Sequence, residues 1–182
     1  KEVYVFKRPE KPWTLGNIFR TGFSLYPFLV IRNYSYQEKI AIEKEHYRVQ
    51  LPAVEIDMDL WLEFLGYFLS EGHVSKNGGS RVHIAQTTAG KKEKIGECLK
   101  KLPFKWVERK DGFTTNDVRL ANYLRQFGYS AEKFVPRKFL EQEEKQLRIL
   151  FDAWYLGDAG CTNSAHLRDD MCEIALKLGK AS

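Results

Sequence analysis

Apolar residues recur at the spacing of an α-helix in two segments of the chain, residues 60–72 and 147–159. They read LWLEFLGYFLSEG and LRILFDAWYLGDA, and each predicts a largely apolar helix. Positions 87 residues apart correspond in the two segments, so that Phe64 matches Phe151 and Tyr67 matches Trp154. The chain therefore contains an internal repeat of one helix.

Small residues lie four positions apart in both predicted helices. Gly66 and Ser70 share one face of the first helix, and Ala153 and Gly157 share one face of the second. Small side chains on such a face let two helix backbones approach closely. Both helices also end on a carboxylate, where the helix dipole disfavours negative charge by about 0.3–1 kcal/mol. This repeated misfit predicts a cation between the two ends.

Between the two helices the hydrophobic pattern changes to a period of two, which is typical of strands. Residues 73–75 and 81–87 flank the turn sequence Lys-Asn-Gly-Gly and predict a β-hairpin. In its second strand, Val82 and Ile84 face one way, and the opposite face carries Arg81, His83, Ala85 and Thr87. Such a face is suited to reading base edges in the major groove, although every half-exposed sheet also has a polar face.

The pattern then predicts a helix, a second hairpin and a further helix. The helix over 90–102 begins after Thr88 and has a buried stripe of Ile95, Cys98, Leu99 and Leu102. The hairpin joins residues 104–109 to 112–115, and Lys105 and Arg109 share a face with Val107. Asn116 is the predicted cap of the last helix, which stops at Gly128. The fold class is therefore α+β.

Residues 1–56 predict a β-rich appendage before a first half over 57–142 and a second half over 143–182. Residues 1–9 alternate as a strand does, and residues 47–51 predict another short strand. The segment 23–31 is apolar, but its proline disfavours a central strand. Basic residues of the appendage contact DNA or are solvated loop charges, and the sequence leaves these two interpretations equally open.

Composition narrows the class of protein only a little. The 182 residues suffice for a packed core, and the net charge of +5 is compatible with a nucleic-acid partner without requiring one. Three cysteines without a CxxC pair favour a reducing compartment and argue against a zinc ribbon or a disulfide framework. The absence of a signal peptide and of a long apolar run predicts an intracellular protein, cytoplasmic or nucleoid-associated.

The repeated helices resemble two copies of the LAGLIDADG motif of homing endonucleases, with GYFLSEG over 66–72 and AWYLGDA over 153–159. The predicted order αββαββα also resembles one half of that fold, so the resemblance covers residues 57–179. It implies a monomer with pseudo-twofold symmetry, whose two motif helices pack together and whose terminal acids, Glu71 and Asp158, bind Mg²⁺. Alanine at 159 departs from the usual glycine.

A second stretch, YSAEKFVP over 129–136, resembles the Lys-x-Ile-Pro element of intein-type endonucleases. The resemblance implies a catalytic role for Lys133 near the cleavage centre, where it positions or activates water or stabilises phosphate charge. Double-stranded DNA is the implied partner. The predicted DNA-binding residues are Arg81, His83, Gln86, Lys105, Arg109, Arg137 and Lys138.

The resemblance implies a site-specific double-strand DNA endonuclease that hydrolyses phosphodiester bonds with divalent metal. The alternative is a LAGLIDADG-like protein that binds DNA or RNA without cleavage, as a regulator or maturase does. Retention of both acids and Lys133 favours the first. The second half favours the alternative, because residues 167–179 match the basic helix of the first half at an offset of only 76 residues, which leaves the predicted half incomplete.

Overall fold

The structure is a computed structural model, and it describes residues 28–31, 34–39, 46–76 and 79–180. The strands found there are β1 (Phe28–Ile31), β2 (Tyr34–Lys39), β3 (His46–Leu51), β4 (Val54–Asp57), β5 (Gly72–Val74), β6 (Val82–Ala85), β7 (Val107–Arg109) and β8 (Gly112–Thr115). The helices are α1 (Met58–Glu71), α2 (Ala89–Lys101), α3 (Val118–Leu124), α4 (Arg137–Leu140), α5 (Glu144–Asp158) and α6 (Ala165–Lys177).

The order α1, β5, β6, α2, β7, β8, α3 confirms the predicted succession, and the fold is α+β. The predicted strand at 47–51 is β3, and β1 forms the end of the apolar segment 23–31. The strand predicted over 1–9 lies outside the described residues. Among the described residues no helix is both long and apolar enough to cross a membrane.

The first hairpin (β5 and β6) and the second hairpin (β7 and β8) form one antiparallel sheet in the order β5-β6-β8-β7. Its inner face is apolar, as the alternation predicts, because Val74, Val82, Ile84 and Phe113 are all buried. Helix α2 packs on this face, where a side chain at Gly96 would meet the ring of Phe113. The helices therefore lie on one side of the sheet and leave the other face available to solvent.

Helices α1 and α5 pack directly against each other through the small residues identified in the sequence. A Cβ added at Gly66 would lie 2.6 Å from the Cβ of Ala153, and one added at Gly157 would lie 2.5 Å from the Cβ of Ser70. Distances this short show that the two backbones are too close for larger side chains. The predicted close approach of the two helices is confirmed.

Helix α1 is capped by Asp57, because its carboxylate accepts hydrogen bonds from the backbone N–H groups of Asp59 and Leu60. Two other caps differ from expectation. Asp117 caps α3 in place of the predicted Asn116, since its carboxylate receives the N–H groups of Arg119 and Leu120. The side chain of Thr88 makes no capping bond at the start of α2.

Strands β1 and β4, which precede α1, join the same core. β1 pairs with β4 in antiparallel register, and Leu29 and Ile31 are buried among the core residues of α1. β2 and β3 form a hairpin of their own. In the second half, the described chain runs from α5 to α6 without an intervening strand. The predicted helix over 167–179 corresponds to α6.

Candidate nucleic-acid interface and the ends of the paired helices

The exposed face of the four-stranded sheet carries polar and basic side chains in rows. His73, His83, Thr114 and Val107 lie in successive strands and are paired directly in the register. Because opposed residues share a face, these four residues form one row across the sheet. Arg109 is two residues from Val107 and is exposed on the same face.

Exposed cations lie in the segments that adjoin these strands. Arg81, Lys105 and Lys110 are exposed on the segments that lead into β6 and β7 or connect β7 to β8. Glu108 alternates to the other side of β7, where its carboxylate lies 3.0 Å from the Lys92 ammonium of α2. The exposed face is therefore more basic than the composition of its strands alone suggests.

Two histidines lie in contact on this face, on the edge strand β5 and its neighbour β6. The ring centres of His73 and His83 are 5.1 Å apart, with an angle of 57° between the planes. Partial burial, the neighbouring His83 and the charge of Lys133 hold the pKa of His73 below its usual value. Both ring nitrogens of His83 are buried without a hydrogen-bond partner, and the nearest carboxylate oxygen, from Asp111, lies 3.6 Å from its Nε2.

The C-terminal ends of α1 and α5 meet beside one edge of the sheet. A Cβ added at Gly157 would lie 3.1 Å from the Cγ of Glu71, so the Glu71 side chain runs along the backbone that leads into Asp158. Asp158 is the last residue of α5, and Ala159 follows in the left-handed conformation, with φ of 50°. The structure thus brings the two predicted helix ends together.

Each helix end is held by a lysine from elsewhere in the chain. The buried Lys133 ammonium donates to the carbonyls of Phe68, Leu69 and Gly72 at 2.9, 2.9 and 2.7 Å, at the end of α1. Lys91 of α2 donates to the carbonyl of Gly157 at 2.8 Å, at the end of α5. Both ammonium groups complement the negative ends of the helix dipoles. Each helix end therefore has a positive charge at its backbone carbonyls.

Lys133 therefore lies beside the end of α1, where the resemblance expects it. Its ammonium donates to the three backbone carbonyls named above. Its own carbonyl accepts a bond from the Ser164 hydroxyl at 2.5 Å. These contacts fix the segment after α3 against the first helix. The catalytic role stays a prediction that no observation tests.

Gln86 is buried behind the exposed face and contacts a predicted metal ligand. Its Nε2 donates to Glu71 Oε1 at 3.1 Å, and its Oε1 accepts the N–H groups of Thr87 and Thr88. Gln86 thereby ties the Glu71 carboxylate to the turn before α2. Sequence spacing placed Gln86 among the DNA-binding residues, whereas the structure places it under the surface.

Arg137 and Lys138 lie in the helical layer and not on the exposed sheet face. The Arg137 guanidinium donates to both carboxylate oxygens of Glu173 at 3.1 Å, and it also pairs with Glu141. Lys138 donates to the hydroxyl of Tyr123 at 2.9 Å, and burial lowers its pKa to about 8. Of the predicted DNA-binding residues, His83 and Arg109 lie in strands of the sheet, and Arg81 and Lys105 are exposed on the segments that lead into β6 and β7.

Two residues of this region were not singled out from the sequence. Lys91 was one of several lysines on a solvated helix, and nothing in the local pattern marks the one that reaches α5. His73 begins the first hairpin, and its position opposite His83 depends on the register of the two strands. That register could have been inferred from the length of the hairpin loop.

The donor chemistry at the helix ends suits a hard cation such as Mg²⁺, which prefers carboxylate oxygens. Glu71 supplies one carboxylate there, already oriented by Gln86. Within the described part of the chain, no group of three or more His, Cys, Asp or Glu side chains is gathered to hold a metal. Mg²⁺ binding by Glu71 and Asp158 therefore stays a prediction.

No protein-family model matches the chain. A curated protein of Chlamydomonas moewusii, named as an ATP-dependent Clp protease proteolytic subunit, is 25% identical over 153 residues. The aligned stretch covers 72% of this chain and 15% of that protein. The likeness is thus to a small part of a much longer polypeptide.

This likeness corrects the predicted function. The relative is named as a subunit of a peptidase, which contradicts the expectation of a metal-dependent DNA endonuclease and of a homing enzyme that cuts double-stranded DNA. The error came from carrying the activity of a motif family over to two helices whose pattern is decided by packing. Phosphodiester hydrolysis is accordingly not assigned to Glu71, Asp158 or Lys133.

Proposed function

We propose that the chain is a duplex-DNA-binding module with the LAGLIDADG fold, which acts as a monomer. The observation that carries the proposal is a row of polar side chains on one exposed sheet face, with Arg109 on the same face and with Arg81, Lys105 and Lys110 exposed in the adjoining segments. The major groove admits strands, and Arg, His and Thr offer donors and acceptors to base edges.

The internal repeat supports the fold assignment. The two motif helices pack through Gly66, Ala153, Ser70 and Gly157, and α1 is followed by the element order of the family half. A sheet whose inner face packs on helix α2 presents its exposed side chains at fixed spacing. Base readout needs such fixed positions, whereas phosphate contacts supply most of the affinity.

The direct test is binding of a labelled DNA duplex, followed by fluorescence anisotropy over a series of salt concentrations. Phosphate contacts release counterions, so the logarithm of the affinity should fall linearly with the logarithm of the salt concentration, with a slope of about −0.9 per contact. Arg81→Ala, Lys105→Ala and Arg109→Ala should each weaken binding and make the slope less steep by about one contact.

Lys94 and Lys100 provide the matched control, because both are exposed on α2, in the layer on the other side of the sheet. Replacing both by alanine removes as much charge as two of the test substitutions and should change affinity little. Equal losses in both sets would indicate a nonspecific charge effect. Absence of salt-dependent duplex binding by the wild-type chain would refute the proposal.

Mg²⁺ at the helix ends extends this proposal, with Glu71 and Asp158 as its ligands. The ion would screen these acids from the phosphates of bound DNA. Ligand binding to the folded state raises the melting temperature, so Mg²⁺ should stabilise the wild-type chain but not Glu71→Gln. Equal melting temperatures with Mg²⁺ and with a chelator would show that Mg²⁺ does not bind at this site.

The named relative favours a second candidate function, a contribution to peptide-bond hydrolysis within a longer polypeptide. Two serine hydroxyls near helix ends donate hydrogen bonds to backbone carbonyls. Ser70 donates to the carbonyls of Gly66 and Tyr67, and Ser164 donates to that of Lys133. A peptidase assay on the isolated chain decides this point. ATP-dependent peptide hydrolysis that survives removal of Arg81 and Arg109 would favour the second candidate over the first.

A further inference from the structure

Two imidazoles are held side by side on the exposed face of the sheet. His73 of β5 and His83 of β6 are directly paired in an antiparallel register, so the backbone fixes both Cα positions. Directly opposed side chains of an antiparallel pair remain within reach of each other. The hydrogen bond from the Ser75 N–H to the Arg81 carbonyl, at 2.8 Å, continues the pairing beyond these two residues.

The spacing of the rings suits two ligands of one metal ion. With a Zn–N distance of about 2.05 Å and a ring nitrogen about 1.15 Å from the ring centre, two imidazoles at a tetrahedral angle have centres about 5.2 Å apart. The rings of His73 and His83 are 5.1 Å apart. The separation of the two rings thus matches that of two imidazole ligands on one tetrahedral ion.

The surroundings of His83 also suit a metal ligand. Asp111 Oδ2 lies 3.6 Å from Nε2, which leaves Nδ1 for an ion. Metal-binding histidines usually offer their second nitrogen to a carboxylate, which fixes the ring. Neither ring nitrogen of His83 has a hydrogen-bond partner, so binding an ion through Nδ1 would not break one.

Nearby charge is balanced and does not exclude a cation. The Lys133 ammonium lies at the carbonyl of Gly72, next to His73, but three carbonyls surround it. The Asp111 carboxylate lies on the solvent side and is largely exposed. His73 is itself exposed, which gives an ion a path to the pair.

We propose that His73 and His83 form a binding site for a transition-metal ion that prefers imidazole, with Zn²⁺ as the reference ion. Asp111 orients His83, and water fills the remaining positions of the tetrahedron. Imidazole suits such transition-metal ions, whereas carboxylate oxygens suit Mg²⁺. The site is separate from the helix ends, and it does not depend on the DNA-binding proposal.

The test is a calorimetric titration of the purified chain with Zn²⁺, without DNA, at about pH 7.5, where imidazoles are largely neutral. Cys161 and Cys172 are exposed thiols that also bind this ion, so both are first replaced by serine. We expect one ion per chain. His73→Asn and His83→Asn should each abolish this binding, and Asp111→Asn should weaken it about 10-fold.

His166→Asn is the matched control, because this histidine is exposed on α6. It should leave binding unchanged. Circular dichroism checks that each variant is folded, and His83→Gln provides a second substitution if His83→Asn is not. Binding should also be lost at about pH 5.5, since protons compete for the imidazoles. Undiminished binding in folded His73→Asn, or equal loss in His166→Asn, would overturn the proposal.

Discussion

The two repeated helices have almost the same pattern but very different surroundings. Phe64 and Phe68 of α1 are fully buried, with their rings against Trp106 and Phe127, whereas their counterparts in α5 are less covered: Phe151 is half-buried and Tyr155 is 53% exposed. α5 is covered on that side by α6, and between them lies a cavity of about 480 Å³ lined in part by Phe151, Trp154 and Tyr155.

The difference shows that the same sequence pattern can occur in a helix whose aromatic side chains are buried and in one whose aromatic side chains are partly exposed. The shared seam of small residues fixes how α1 and α5 pack, because both helices need it. The outward faces are free of that constraint, and their burial depends on what else the chain places over them. Apolar spacing therefore predicts a helix more reliably than it predicts what covers the helix.

The largest effect is expected from alanine substitutions at two matched aromatic positions, Phe68 of α1 and Tyr155 of α5. Phe68→Ala should lower the free energy of unfolding by about 3–5 kcal/mol, because it leaves a cavity in a closed core. Tyr155→Ala should change it by less than about 0.5 kcal/mol, because the side chain is half in solvent. Urea denaturation measures both. Similar losses at the two positions would mean that α5 is covered as fully as α1.

The lysine caps give the next comparison. Lys133→Met should lower the free energy of unfolding by about 2–3 kcal/mol, because it leaves buried carbonyls without a donor. Lys91→Met should cost about 0.5–1 kcal/mol, because it removes one bond at a half-exposed position. Thermal and urea denaturation of both variants test this order. A greater loss for Lys91→Met would show that the end of α5 depends on its cap more than the end of α1 does.

The residues after the two helices predict effects of opposite sign. Gly72 has an ordinary φ of −92°, but a Cβ there would lie 2.7 Å from the Phe68 carbonyl oxygen, so Gly72→Ala should destabilise by about 1–3 kcal/mol. Ala159 has a φ of 50°, so Ala159→Gly should stabilise by up to about 1 kcal/mol. Melting temperatures should move in opposite directions, and a shift of the same sign would contradict this account.

The smallest expected effect concerns the segment that joins the halves. Burial lowers the pKa of Lys138 from 10.5 to about 8, so the unfolded chain binds this proton more tightly than the folded one. Stability should therefore rise with pH from about 8 towards 10.5 relative to Lys138→Met. Urea denaturation of both proteins at several pH values measures this difference. A parallel pH dependence in the two would show that Lys138 keeps its ordinary pKa.

Much of the fold was predictable because its signals are local. The turn sequence between β5 and β6, the alternation of Val82 and Ile84, and the buried stripe of α2 each depend on residues close in the chain. The cap of α3 was predicted one residue early, at Asn116 instead of Asp117, because both side chains are good caps. Which of two adjacent residues caps the helix depends on the backbone conformation of a single turn.

The candidate site was only partly predictable. His83 and Arg109 lie on the exposed face because alternation along a strand decides their direction, and Arg81 and Lys105 are exposed just before β6 and β7. Gln86 follows the last residue of β6, where alternation ends, and it turns inward to Glu71. Arg137 and Lys138 turn to Glu173 and Tyr123, which are distant in the sequence.

The sequence by itself determined the α+β element order, the apolar face of the sheet and the seam between α1 and α5. These follow from periodicity and from the size of side chains, which act over a few residues. Only the tertiary structure decided that Lys133 and Lys91 hold the helix ends and that His73 lies against His83. Those contacts join segments whose relative placement depends on the packing of the whole core.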